Sequence, residues 1–441
     1  MLAFLQNLPG RLRRSYFVRN ILVIMSGTAI AQVIGFGLSP VISRLFSPSD
    51  FGIFGSFSAI AGVIAAGVTL EYSQAVMLPK EKETAINLLA VALFCSFAVS
   101  FLCMGVCLIV PGTINGLMKT TAAWPLALLV LATLVAGVNQ SCQAWAVRSK
   151  AFKRTSASQV VRSVSSSSMR IGLGYLKGGS GALIVSSIVA DIMATVTLAG
   201  ALLPDWAALR TRIRWGLMRS LAHEYRDFPL YSASQAVINA LSSGLPVLLL
   251  TRYYGIAVAG AYAFGITILQ VPTGFVSAAL RQVLFQRACE SQHEGGSLAA
   301  LYVRTTAILF ALAIVPSVIL ILWAPQLFSW IFGSRWFLAG ELARSLVIWL
   351  AVSFCNLPAV LFARIIRIQR FVFFYDMALL TMRFLALIVG GSYLNVRATV
   401  MLFSVVGSLM NAFLIFRVGR VVMKKEGPGN WESLREIMKG A

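Results

Sequence analysis

Long apolar runs recur along the chain, separated by short segments rich in Gly, Pro, Ser and charge. They fall at roughly 20–43, 52–78, 85–110, 123–147, 157–176, 182–203, 228–251, 257–285, 299–323, 342–363, 371–391 and 397–418. A helix rises 1.5 Å per residue, so about 20 apolar residues cross a bilayer. The pattern therefore predicts an all-α polytopic membrane protein of about 12 transmembrane helices. The second and eighth runs are longer than a bilayer needs, which predicts that they tilt or protrude. The aromatic-rich stretch from Ala324 to Glu341 suits an interfacial segment between two spans.

Composition agrees with this pattern. Of 441 residues, 58% are hydrophobic and 12% charged, about half the charged share of a soluble domain. A net charge of +22 on a soluble protein would point to nucleic acid. Here the basic residues lie between apolar runs, so they act as topology signals and headgroup contacts, with membrane lipids rather than nucleic acid as partners. If the N-terminus is cytoplasmic, clusters such as Arg11, Arg13 and Arg14, Arg148 to Arg154, Arg210 to Arg226 and Arg364 to Arg370 all fall inside. Each opposite loop then holds one basic residue: Arg44, Lys119, Lys177, Arg252, Arg335 or Arg397. That alternation predicts both termini in the cytoplasm. The first ten residues lack the basic start of a cleavable signal.

The largest inside loop lies midway along the chain. Its Trp206, Leu209, Ile213 and Leu217 alternate with arginines, which predicts an amphipathic helix on the cytoplasmic membrane face. Trp431, Leu434, Ile437 and Met438 have similar spacing. An internal repeat flanks the loop. Arg44-Leu45-Phe46 before Phe51-Gly52 matches Arg252-Tyr253-Tyr254 before Ala259-Gly260 at an offset of 208, shared by Gln74 and Gln282. Six spans per half keep the repeats in the same orientation. The expected organisation is an N-lobe at 1–203, a linker at 204–227, a C-lobe at 228–423 and a tail at 424–441: two parallel six-helix lobes around a central cavity.

Three stretches carry a resemblance. They are Leu45-Phe46-Ser47-Pro48-Ser49-Asp50-Phe51-Gly52 with Ala75 to Lys80, Arg148-Ser149-Lys150-Ala151-Phe152-Lys153, and Tyr225-Arg226-Asp227-Phe228-Pro229-Leu230-Tyr231 with Leu245-Pro246 and Gln270-Val271-Pro272. Together they resemble the polysaccharide biosynthesis (O-antigen flippase-like) branch of the multidrug/oligosaccharidyl-lipid/polysaccharide exporter superfamily. The resemblance implies alternating access and movement of an undecaprenyl-pyrophosphate-linked oligosaccharide across the bacterial inner membrane. It also implies a role in O-antigen, lipopolysaccharide or exopolysaccharide synthesis, beside the polysaccharide polymerase machinery. Similar proteins often carry an Arg-Tyr-Glu run where this chain has Glu71-Tyr72-Ser73, so a role tied to that arginine does not carry over.

Charged residues inside spans are costly and mark function or pairing. Gln159, Arg162, Ser166 and Arg170 recur at steps of three, four and four, which places them on one face of one helix. Arg170 lies too far from the inner end of its span to snorkel there. It either faces a wet cavity or reaches outward. Arg383 lies near the middle of span eleven and Arg281 one turn inside span eight. Each is a candidate ligand contact, against pairing with Asp376 or Asp191 for the first and headgroup contact for the second. Such a cationic cavity suits a diphosphate, whose oxygens guanidinium groups bind bidentately. Gln32, Asn139, Gln140, Gln143, Gln235, Asn239 and Asn356 either meet sugars or bond helix to helix. Glu71 and Asp191 are candidate coupling acids, with an arginine pair as the alternative. Arg44 and Arg252 are repeat-related, either functional or interfacial anchors.

No constellation for covalent chemistry is present. His223 and His293 fall in loops, the six cysteines show no metal-ligand spacing, and there is no Walker A pattern. No enzyme activity, metal or cofactor is expected. The first reading is a lipid-linked oligosaccharide flippase. The rivals are a drug/cation antiporter of the same superfamily, a membrane glycosyltransferase or ligase using the same lipid, and a membrane assembly factor.

Overall fold

The apolar runs fold as α-helices, and no β-strand occurs among the described residues. The computed structural model describes residues 16–120, 122–294, 297–366 and 368–426. In chain order the helices of the first half are α1 (Tyr16–Gly37), α2 (Ser39–Leu45), α3 (Pro48–Gly67), α4 (Tyr72–Ala75), α5 (Lys82–Ile109), α6 (Pro111–Met118), α7 (Trp124–Arg148), α8 (Phe152–Tyr175) and α9 (Gly179–Ala199). Two short helices follow, α10 (Trp206–Thr211) and α11 (Trp215–Glu224). The second half holds α12 (Ser234–Tyr254), α13 (Ile256–Glu294), α14 (Leu298–Phe332), α15 (Phe337–Cys355), α16 (Leu357–Ile365), α17 (Gln369–Tyr393) and α18 (Val396–Glu426). The N-terminal arginines, the stretch from Trp431 to Met438 and the side chains of Arg281 and Gln282 lie outside what is described.

Among the described residues, eleven helical segments are long and apolar enough to cross a membrane. The remaining expected span is α8. Its 24 residues extend about 36 Å at 1.5 Å each, enough to cross, but its serines and basic residues make it too polar to count as apolar. The twelve-helix expectation therefore holds with one helix set apart by its chemistry.

The chain divides into two compact units, 1–244 and 245–441. In the first, α1 packs against α8 through small residues. A Cβ on Gly27 would fall 2.0 Å from Ser156 Oγ, and Ser163 Oγ donates to the Ala31 carbonyl at 2.6 Å. Close backbones and interhelical hydrogen bonds replace the hydrophobic drive that lipid does not supply. Gly137 on α7 does the same against Ser96 on α5, where a Cβ would fall 2.4 Å from the hydroxyl. The linker helix α11 buries Met218 and Leu221 against Ala75, Val76, Ile86 and Leu89. Asn87 fixes the linker entry, donating to the Arg212 carbonyl and accepting from the Arg214 amide at 3.0 and 2.9 Å. The first part of α12 also belongs to this unit, with Gly244 against Ala59 and Gly67 against Val237.

The Ser47-Pro48-Ser49-Asp50 motif is a helix start. Ser47 Oγ accepts from the Asp50 amide at 3.2 Å, and Asp50 accepts from the Ser47 amide at 2.9 Å. The two otherwise unpaired amides at the start of α3 are thereby satisfied reciprocally.

Two stretches take their form from the local backbone. The second run is not one long helix. It breaks after Gly67, and Leu70 and Glu71 both take left-handed backbone, φ 48° and 61°, before α4 restarts the chain. The Gln140 amide donates to the Ala65 carbonyl at 2.8 Å, adding to the longer bond of 3.4 Å which that carbonyl accepts from the Val68 amide at the break. Much of the Ala324 to Glu341 stretch is helical. α14 continues through Pro325 to Phe332, and in the second unit Phe264 meets Phe328, Phe332 and Trp336 at centroid distances of 6.4, 5.0 and 4.0 Å. Phe328, Phe332 and Trp336 are buried, while Trp330 is exposed. Near the middle of the same unit, Asn356 ends α15 and donates to Asn411 Oδ1 at 2.7 Å, both buried.

Candidate functional site

α8 positions the site. Its run from Ser163 to Ser168 lacks the bulk that would fill the space beside α1, α7 and α9, and a cavity of about 490 Å³ results. Gln159, Arg162, Ser166 and Arg170 all line it, as their helical spacing predicts. Thr28, Gln32 and Gly35 of α1, Asn139 and Gln143 of α7, and Ser187 and Ala190 of α9 form the other walls.

The two arginines of the stripe differ. Arg162 Nε lies 2.5 Å from Asp191 Oδ1 on α9. Asp191 is thus the charge partner of Arg162, the alternative to a free coupling acid. The pair stays partly wet, with the Arg162 side chain 62% exposed. Arg170, two turns along the same face, is the more enclosed. Its Nε has no hydrogen-bond partner among the described residues, and its guanidinium stacks 5.1 Å from the Phe54 ring centre. A buried guanidinium without its hydrogen bonds is costly, so the geometry favours an acceptor group arriving beside it. With Arg162 neutralised by Asp191, Arg170 supplies the uncompensated charge of the cavity, and that charge is positive.

The polar wall is partly committed. Thr28 Oγ1 donates to Gln159 Oε1 at 2.6 Å, and Asn139 donates to Thr195 Oγ1 at 2.8 Å. Gln32 Oε1 is buried without a partner. Thr28, Ser163, Ser167 and Ser187 were not singled out from the sequence. The run of small hydroxyl residues on α8 is the signal that points to them.

A second cavity of about 590 Å³ adjoins the helix break, and Gln143 lines both. Glu71, Gln74 and Gln140 wall it, and Glu71 Oε2 is buried without a partner. Strained left-handed backbone of this kind persists where the surroundings over-determine it. Here Tyr72 Oη donates to the Ala222 carbonyl at 2.8 Å, and Arg148 donates to the Val76 carbonyl at 2.8 Å.

Arg383 lies in the second unit, 8% exposed, with its guanidinium 4.5 Å from Trp349 and 5.0 Å from Phe403. Among the described residues it makes no ion pair. Arg44 and Arg252 are exposed in the last turns of α2 and α12, and Gln74 is exposed in α4. No cluster of three or more His, Cys, Asp or Glu able to hold a metal occurs among the described residues.

Three solved structures share the fold. An inward-facing multidrug resistance MATE family transporter of the MOP superfamily has TM-score 0.67 at 14% identity, covering 92% of this chain and 98% of that one. The lipid II flippase MurJ in an inward closed conformation has TM-score 0.73 at 10% identity, covering 90% and 87%. A MOP superfamily transporter from Pyrococcus furiosus, described by the reverse polarity of its binding pocket, has TM-score 0.62 at 16% identity, covering 92% and 95%. No curated protein sequence matches the chain. Residues 41–340 match the family described as polysaccharide biosynthesis protein. The match takes in the capped start of α3, the serine-rich α8, the second cavity and the walls of the first cavity other than α1, and by it this multi-pass membrane chain belongs to the polysaccharide biosynthesis protein family.

Proposed function

We propose that the protein is a flippase for a lipid-linked oligosaccharide carried on a polyprenyl diphosphate. It moves this substrate across the bacterial inner membrane for O-antigen, lipopolysaccharide or exopolysaccharide assembly and delivers it to the polysaccharide polymerase machinery. Both termini and α10–α11 lie in the cytoplasm. The observation that carries the reading is Arg170, an enclosed guanidinium lacking hydrogen bonds on the wall of a hydroxyl- and amide-lined cavity. A diphosphate oxygen would supply what it lacks. Each charge-assisted hydrogen bond formed there is worth about 1.5–3 kcal/mol net, and a bidentate contact adds orientation. The serines, Gln32 and Gln143 give hydroxyl groups of the first sugars hydrogen-bond partners. Exposure of this cavity first to one membrane face and then to the other moves the headgroup without covalent change.

A drug or cation antiporter would need an uncompensated carboxylate in the main cavity. In the α8 cavity Asp191 is matched by Arg162 and Arg170 adds a positive charge, which favours an anion there, while Glu71 walls the separate cavity at the helix break. A glycosyltransferase or ligase would need catalytic groups converging on a reacting atom, and the cavity's charged groups are one ion pair and one arginine. The test is complementation in cells lacking the endogenous flippase, with protein levels matched. Arg170→Ala should abolish surface polysaccharide and Arg170→Lys should restore part of it. Full restoration by Arg170→Ala would sink the reading.

A further inference from the structure

We propose that the second unit contains its own binding site for a neutral saccharide, in the cavity walled by Gln270, Thr273, Ser277, Trp349, Ser353 and Asn356. This deepens the flippase reading, on which it rests for the physiological source of the sugar.

The cavity measures about 490 Å³, within the roughly 300–1,000 Å³ of small-molecule sites. Among the described residues no Asp, Glu, Lys, Arg or His lines it. These walls offer hydroxyls, amides and an indole. Two of its wall groups have unmet hydrogen-bonding capacity. Trp349 Nε1 is buried without an acceptor, and Asn356 Oδ1 is buried without a donor. A buried indole N–H usually finds a partner, and each orphaned group is costly. One unpaired donor and one unpaired acceptor, seven residues apart along the same wall, each match a separate hydroxyl group, since a hydroxyl both donates and accepts. A neutral polyol presents several such groups.

The wall is held in place. Asn356 spends its amide donor on Asn411, whose own amide donates to the Gly407 carbonyl at 2.6 Å. This leaves Asn356 Oδ1 fixed as an acceptor. The Trp349 indole is stacked by Arg383 at 4.5 Å and met edge-on by Phe403 at 5.5 Å. Arg383 thus becomes a positioning residue for the indole. Pro272, inside α13, cannot donate a backbone hydrogen bond, and beside it Thr273 Oγ1 bonds the Gln270 carbonyl at 3.1 Å. That local loosening adjoins Gly274 on the cavity wall.

The experiment uses the full-length protein in lipid nanodiscs, free of sugar-based detergent, with lactose and N,N′-diacetylchitobiose as neutral probes, glucuronic acid as the anionic control, and inorganic pyrophosphate. Saturation-transfer NMR should detect the two disaccharides and not glucuronic acid. Trp349→Phe, which keeps a ring and removes the N–H, and Asn356→Ala should each weaken disaccharide binding by up to about tenfold, the scale of one hydrogen bond. Ser353→Ala leaves the Asn356–Asn411 bond in place and should weaken it less. Absence of transfer to either disaccharide, or equal transfer in Trp349→Phe, Asn356→Ala and Ser353→Ala, would overturn the proposal. Such a result beside Arg170-dependent pyrophosphate binding would leave the flippase reading standing. Saccharide binding without Arg170-dependent pyrophosphate binding would leave the saccharide site and remove the anionic cavity.

Discussion

At Arg170 the guanidinium meets an aromatic face, while eight residues earlier Arg162 meets a carboxylate. The contrast makes a prediction of opposite signs. Asp191→Asn frees Arg162 to face the cavity, so pyrophosphate binding to the protein in nanodiscs should strengthen severalfold. Arg170→Ala should weaken it by about tenfold or more, the loss of at least one charge-assisted hydrogen bond. Isothermal titration measures both, and weaker binding in Asp191→Asn would show that the carboxylate holds Arg162 in a productive pose. The stripe itself was legible in the sequence because residues three and four apart share a helical face. The pairing was not. Whether Asp191 faces Arg162 or Arg383 depends on which helices adjoin and how each is rotated, which no spacing within one helix determines.

α8 shows how an element can be both a span and a cavity wall. Its serines give no apolar face to lipid, but small side chains admit α1 closely and leave space beside it. Gly27→Val should therefore push α1 from Ser156 and lower the thermal midpoint of the detergent-solubilised protein by several degrees or abolish expression. Gly172→Ala on α8, where an added Cβ meets nothing within 4 Å, should be neutral or stabilising by up to about 1 kcal/mol from helix propensity. Equal effects would mean that the α1–α8 contact is not the tight one. The break after α3 provides the second test at this scale. Gln140→Leu removes the shorter of two hydrogen bonds on the Ala65 carbonyl, which also accepts from the Val68 amide at 3.4 Å, and should cost about 0.5–1.5 kcal/mol, read as a lowered midpoint. This break was invisible in the sequence because the run from 52 to 78 stays apolar and two ordinary residues, Leu70 and Glu71, take the left-handed backbone usually given to glycine. The capped start at Ser47 was legible, since that motif acts through neighbours in sequence.

For the molecule as a whole, hydropathy predicts a multi-pass membrane chain, and the one span that hydropathy underrates is the one that supplies both arginines of the α8 cavity. Orientation is open to direct test. Arg214→Cys places a thiol on an exposed linker residue whose native side chain is 74% exposed, while the described native cysteines are buried or half-buried. With Cys289→Ser as background, a membrane-impermeant maleimide should not label it in intact cells and should label it after permeabilisation. Labelling from outside would reverse the topology. The central claim, movement of a diphosphate-linked saccharide lipid by way of Arg170, is tested most directly in proteoliposomes. Purified protein is reconstituted with a fluorescent polyprenyl-diphosphate oligosaccharide, and its transfer between leaflets is followed by accessibility to an external glycosidase. The account predicts protein-dependent transfer by the wild type, partial transfer by Arg170→Lys and none above protein-free vesicles by Arg170→Ala. Equal transfer by wild type and Arg170→Ala, or no transfer by the wild type, would contradict it.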